Sequence, residues 1–305
     1  MHRIALLAAI VCVAVTPVHA QSGKGSDDHI RAATGRIDGN AIRANARTTA
    51  DWPSYGLDYA ETRFSRLKQI DAGNVKNLGL VWSYNLESTR GVESTPLVVD
   101  GIMYVTQRPN DVLAVDAETG RVFWQYRYTV SPDARVCCGA NNRGVAILGD
   151  MLFMGTLDAR LVAIDRTSGR SLWDVPVADP KLGYSVTMAP LVVKDKVLVG
   201  SGGGEYGIRG VVAAFDAKTG KELWRFHTIP GPGEKGNETW GGDSWKTGGG
   251  SIWVTPSYDP ALNLTYWGVG NPGPDYNPNQ RPGDNLYTGS GVALDGGSGA
   301  LDWAV

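Results

Sequence analysis

The sequence predicts an all-β protein built of propeller blades, and three observations carry that reading. Its 305 residues include forty glycines, ten tryptophans and twelve tyrosines, with few long apolar segments of helical period; this favours short strands joined by tight turns. One phrase recurs: a small apolar pair, Asp, a turn ending in Thr-Gly or Ser-Gly, and Trp four residues after the Gly. Repeats of roughly 40–50 residues, each holding four short strands, are the signature of propeller blades.

The chain opens with a short basic start (His2, Arg3), an apolar run from Ile4 to Val15 and the small-residue ending Val18-His19-Ala20. The run is shorter than the roughly 20 residues of a spanning helix, so residues 1–20 read as a cleavable secretory leader. Residues 21–50 are polar and rich in Gly, Arg and Ala, and are expected to form a flexible arm. The propeller region is expected from residue 51 to residue 305.

Within that region Trp82 reads as the strand half of a degenerate first copy. Ser94 to Val105 then reads as strand, Asp-Gly turn, strand. The complete copies are Ala114-Val115-Asp116 with Thr119-Gly120 and Trp124, and Ala163-Ile164-Asp165 with Ser168-Gly169 and Trp173. They continue with Ala214-Phe215-Asp216, Thr219-Gly220 and Trp224, and with Ala293-Leu294-Asp295, Ser298-Gly299 and Trp303. In each, Asp and Thr or Ser hold the turn by bonding to backbone, Gly supplies positive φ, and Trp is a packing device between neighbouring sheets. Glycine- and proline-rich insertions, Ile229 to Gly250 and Pro272 to Gly289, interrupt the spacing where long loops on a repeat scaffold line or cover a site.

Several function classes are excluded or weakened by composition. Net charge near zero argues against a nucleic-acid partner, and no second segment is long and apolar enough to span a membrane, so any membrane association is not through this stretch. Outside the leader only His29 and His227 are available for a histidine-based metal site or catalytic triad. Residues 202–207 satisfy Gly-x-Gly-x-x-Gly, but the following Val211–Phe215 reads as a strand and not the helix a nicotinamide site needs.

Cys137 and Cys138 are adjacent, and the other cysteine, Cys12, lies in the leader. Two readings stand for the pair. They are reduced, buried small hydrophobes, or they are bonded in a strained ring, since neighbouring Cα atoms lie about 3.8 Å apart against the usual 4.4–6.8 Å. Export to an oxidising compartment and a polar, glycine-containing flank favour the bond.

Together the Asp-x-x-Thr-Gly-x-x-x-Trp repeats and Arg135-Val136-Cys137-Cys138-Gly139-Ala140-Asn141-Asn142-Arg143 closely resemble the quinoprotein alcohol dehydrogenases. The likeness runs from Asp51 to the end. It implies a partial eight-bladed propeller of four to five blades, binding pyrroloquinoline quinone (PQQ) and a Ca2+ or lanthanide ion on its axis. It also implies a Cys137–Cys138 disulfide as one wall against the quinone and Trp253 as the other, a planar ring held by stacking. Arg143 and Glu93 match residues that contact the cofactor, and Thr187, Gly203, Gly204 and Ser251 match positions that meet its edge. Glu205 and Asn271 match the metal ligands, oxygen donors that suit a hard cation. Read without the likeness, Trp253 is one more packing tryptophan, Arg143 a surface charge, and Glu205 or Asn271 an ordinary turn residue.

The resemblance further implies oxidation of a primary alcohol to an aldehyde in the periplasm, with hydride passing to the quinone and electrons on to a cytochrome c. It places the catalytic aspartate after the fourth repeat, past Val305, so no catalytic residue is named. The expectation is an N-terminal part of a longer enzyme, of little activity alone, since losing a general base costs about 10²–10⁴-fold. Two alternatives accompany it: a non-catalytic envelope-assembly propeller, and a quinoprotein acting on sugars or polyols.

Overall fold

The local sequence turns the chain back at each blade's first hairpin. Asp100 and Gly101 take φ of 48° and 78°, the twist a two-residue turn needs, and join β1 (Leu97–Val99) to β2 (Ile102–Gln107). Two further antiparallel pairings add β3 (Asp111–Asp116) and β4 (Val122–Tyr126). The computed structural model describes residues 23–88 and 91–305, so the expected leader with Cys12 lies outside the described residues.

The same four-stranded meander is built three more times. The second sheet holds β5 (Ala146–Leu148), β6 (Met151–Gly155), β7 (Arg160–Asp165) and β8 (Ser171–Pro176). The third holds β9 (Leu191–Val193), β10 (Lys196–Gly200), β11 (Val211–Asp216) and β12 (Glu222–His227). The fourth holds β13 (Ser257–Asp259), β14 (Leu264–Gly268), β15 (Gly291–Asp295) and β16 (Leu301–Ala304). The all-β blades expected from the repeats are therefore present as four sheets. The residues around Trp82 form no strand.

The third strands are buried almost throughout instead of alternating, the pattern of strands covered on both faces, and they share one core with the neighbouring sheets and with Ile30, Ile37 and Ile42 of the N-terminal segment. The recurring turn sets the spacing between those sheets. Asp216 accepts from Lys218 N (3.1 Å), Thr219 N (2.8 Å) and Thr219 Oγ1 (2.7 Å), and Asp295 repeats the pattern with Gly297 and Ser298. The Thr219 hydroxyl bond is the main reason that the Asp216 carboxyl sits below its ordinary range, and Ser298 does the same for Asp295. With Gly220 at φ 71° and no side chain, the Trp173 ring lies directly on the turn and its Nε1 donates to Ala217 O at 3.2 Å. Trp124 sits likewise on Gly169, and Trp82 on Gly120, donating to Ala117 O at 3.1 Å. Trp82 thus performs the packing role of the repeat without its strand. Trp224 lies on Gly299, whereas Trp303 is 41% exposed.

Residues 23–50 are not the flexible arm that their polar composition suggests. They form α1 (Asp27–Thr34), capped by Ser26, and α2 (Gly39–Thr48), capped by Asp38, which accepts from Ala41 N at 2.8 Å. Their few large apolar residues, Ile30, Ile37 and Ile42, are all buried. Arg166, 1% exposed, fixes α1 to the second sheet: its guanidinium donates to Thr34 Oγ1 and to Arg31 O (3.3 Å) and pairs with Asp150.

Candidate cofactor site

Because every sheet is a simple meander, its connections fall into two sets. The β1–β2 and β3–β4 turns and their counterparts lie at one end of the strands. The β2–β3 turns and the links between sheets lie at the other. A cavity of about 310 Å³ opens among loops of this second end, and residues from six connections line it. Its lining includes Glu93, Cys137, Cys138, Arg143, Thr187, Gly203, Glu205, Ser251, Trp253 and Asn271. Of the candidate residues named from sequence, Gly204 alone is not in the wall. It is buried behind it, where a Cβ would lie 3.0 Å from Ser251 Oγ.

The link between β4 and β5 carries the cysteines. Cys137 and Cys138 are joined by a disulfide with their Cα atoms 3.8 Å apart, and Cys138 and Gly139 take positive φ of 58° and 99°. The pair is not core material: Cys137 is half-buried and Cys138 exposed. The loop beyond is pinned at Arg143, whose N–H donates to Thr187 O (3.1 Å) and whose carbonyl accepts from Thr95 N (3.0 Å). The Arg143 guanidinium donates to Glu93 Oε2 at 2.7 Å and lies over the Trp253 ring, 5.1 Å from its centroid.

Trp253 is aimed by its neighbour. Ile252 is fully buried and packs against Gly200, where any Cβ would collide with it, and its N–H donates to Ser201 O at 2.7 Å. With Ile252 held inward, the next side chain turns outward. Trp253 is 47% exposed and forms part of the cavity wall instead of sheet packing.

One carboxylate oxygen of Glu205 and the two sulfurs all lie within 4.8 Å of one another. Asn271 donates through Nδ2 to Asp275 Oδ1 at 2.6 Å, which leaves its Oδ1 as the acceptor offered to a ligand. Behind Asn271 the two long insertions clasp each other. Trp240 is buried and donates to Leu286 O at 2.6 Å, Gly241 N donates to Pro282 O at 2.8 Å, and Asn285 N donates to Thr239 O at 3.1 Å.

This cavity has the means to hold a flat, anionic, oxygen-rich ring: an exposed indole face, an arginine, amide and hydroxyl donors, and a size at the lower end of small-molecule pockets. The family described as "Glucose/ethanol/alcohol dehydrogenase, beta-propeller domain" (PQQ) matches residues 52–305. The chain belongs to this family. It is 48% identical over 282 residues to quinohemoprotein alcohol dehydrogenase ADH IIB of Pseudomonas putida, covering 88% of this chain and 41% of that protein. The crystal structure of the quinohemoprotein alcohol dehydrogenase from Comamonas testosteroni superposes with a TM-score of 0.85 at 43% identity, covering 92% of this chain and 44% of that one. A europium-containing methanol dehydrogenase does so with a TM-score of 0.79 at 40% identity, over 83% of this chain and 48% of that one. The chain therefore spans less than half the length of these relatives.

The cavity also contains residues that sequence reading passed over: Val136, Gly139, Asn141, Ser185 and Gly202. Asn141 stood in the quoted cysteine motif but carried no sign of its direction. Ser185 and Gly202 meet through a backbone bridge between the second-to-third link and the β10–β11 turn, a pairing that no local pattern encodes.

Proposed function

We propose that this chain supplies the quinone- and metal-binding half of a PQQ-dependent alcohol dehydrogenase that oxidises primary alcohols to aldehydes in the periplasm. The observation that carries the proposal is the convergence of Cys137, Cys138, Arg143, Trp253, Glu205 and Asn271, distant in sequence, on one cavity. When bound, PQQ accepts the two electrons and hydrogen of the alcohol, and a hard cation, Ca2+ or a lanthanide, polarises it.

The chain's own residues then have separable tasks. Trp253 and the Cys137–Cys138 ring both line the cavity, and as opposed walls, the arrangement that the family likeness implies, they would restrict a flat guest to one plane. Arg143, held by Glu93, places a permanent positive charge where an oxygen gaining electron density is stabilised. Thr187 and Ser251 supply polar groups to the edge, and Glu205 and Asn271 would hold the cation through oxygen. Both lining carboxylates are thereby engaged, so proton abstraction from the alcohol is not assigned to either. Electrons leave to a cytochrome c-type acceptor. A scaffold propeller needs the docking tryptophans but has no use for this set of cavity residues.

The test is titration of the purified chain with PQQ in the presence of Ca2+ or La3+, followed by tryptophan fluorescence, and, for the full-length enzyme, an artificial electron acceptor assay over primary alcohols, polyols and sugars. Saturable, metal-dependent quenching with preference for primary alcohols is expected. Absence of quinone binding with either ion would sink the proposal.

A further inference from the structure

We propose that Asn141 is a positioning residue that ties Glu93 to the disulfide loop, and that Arg108 sets the direction of its amide. The inference rests on the quinone-binding reading above and concerns residues given no part in it so far. Asn141 Nδ2 donates to Glu93 Oε1 at 2.6 Å and to Cys138 O at 3.3 Å, while its Oδ1 accepts from Arg108 Nη2. Three connections meet at this one amide: the segment before β1, the turn after β2 and the link carrying the cysteines.

Electrostatics fixes which way the amide points. Turned over, its NH2 would face a guanidinium and its oxygen would face a carboxylate, so both contacts would become repulsive. With Arg108 on Oδ1, the donor end is committed to Glu93. Arg143 takes the other carboxylate oxygen at 2.7 Å. Glu93 is thus gripped at both oxygens, by the residue before Asn142 and the residue after it. Gly139 is part of the device, since a Cβ there would come within 3.1 Å of Arg108 Nη2.

The neighbouring Asn142 shows what a merely structural asparagine looks like in the same loop. It is 4% exposed and does not line the cavity; its amide donates to Gly155 O at 3.0 Å and accepts from Gly144 N at 2.9 Å. Asn141 instead lines the cavity and bonds a carboxylate that does so too. Holding Glu93 to the cysteine loop keeps the carboxylate, the disulfide and Arg143 in one fixed relation, so loss of the tie acts on the guest and not on the sheets.

A double-mutant cycle on quinone affinity tests this in the full chain, using PQQ with Ca2+ as the probe. Asn141→Ala is expected to weaken PQQ binding by roughly 10–30-fold, the size of one hydrogen bond to a charged group. In the Glu93→Gln background the same change should add no more than about twofold, because its partner is already altered. Arg108→Met should weaken binding about 3–10-fold alone and add little once Asn141 is Ala, which keeps the test open where Asn141→Ala folds poorly. Thermal midpoints should stay within a few degrees. Binding by Asn141→Ala within twofold of the unaltered chain, or multiplicative effects of Asn141→Ala with Glu93→Gln and Arg108→Met, would overturn the inference while leaving the quinone reading intact. Failure of the unaltered chain to bind PQQ would remove both.

Discussion

The two ends of the strands are made from opposite kinds of sequence. At the docking end one phrase is used four times, and the contacts it makes recur almost unchanged from Gly120 to Gly220. At the cavity end nothing repeats: an adjacent cysteine pair and an arginine come from one link, and an indole and two oxygen donors from three other connections. The repeat therefore builds the scaffold and the departures from it build the cavity. Folding stability should answer to the first set, ligand affinity to the second.

The sharpest division is expected from the tryptophans, which occur at both ends. Trp224→Ala removes a buried ring from between two sheets and should lower stability by about 3–5 kcal/mol in urea unfolding. Trp303→Ala, the same residue of the same phrase but 41% exposed, should cost this chain less than about 1 kcal/mol. Equal losses would mean that the phrase acts within its own sheet and not between sheets.

Trp253→Ala is the counterpart at the cavity end. It should weaken PQQ binding roughly 10–100-fold, with a thermal midpoint within about 2 °C of the unaltered chain, since the ring is half exposed and Ile252 keeps the loop anchored. A large drop in midpoint would assign Trp253 to packing and break the comparison.

Acid should act on the docking end, by a smaller amount. At Asp116 burial opposes ionisation, but Lys24, Thr119 and the Glu118 N–H outweigh it and hold the carboxyl at about 2, while Asp216 and Asp295 are also lowered. A carboxyl whose folded pKa lies below the unfolded 3.8 stabilises fully above that value, and the contribution is lost as pH falls through the folded value. Stability should therefore fall between pH 4 and pH 2, and less steeply in Asp216→Asn. A curve unchanged by that substitution would show that the turn does not depend on its charge.

Much of this was legible in the chain because the docking phrase is local: Asp, Thr or Ser, and Gly lie within five residues, and each side chain bonds inside that window. The strands beside the Asp-Gly turn and the dismissal of a helix after residue 207 follow from similarly short-range signals, and β11 does begin at Val211. The candidate wall residues came from likeness to a family, and the fold brings them to one cavity. What could not be read was held by distant partners. The helices at 27–34 and 39–48 have polar composition, and their stability comes from burying Ile30, Ile37 and Ile42 and from Arg166, more than a hundred residues away. The direction of Asn141 depends in the same way on Arg108, and the clasp of the two insertions depends on Trp240 reaching Leu286.

The contact between Ile252 and Gly200 has a consequence for how such a protein can change over generations. Because the indole is aimed from behind by a dry aliphatic contact, trimming Ile252 to Val would let the plate tilt without touching any group that meets the guest. Affinity can thus drift through the hidden side of the wall, leaving the visible set of polar residues as it is, and proteins that look identical at the cavity surface can still differ in how tightly they grip.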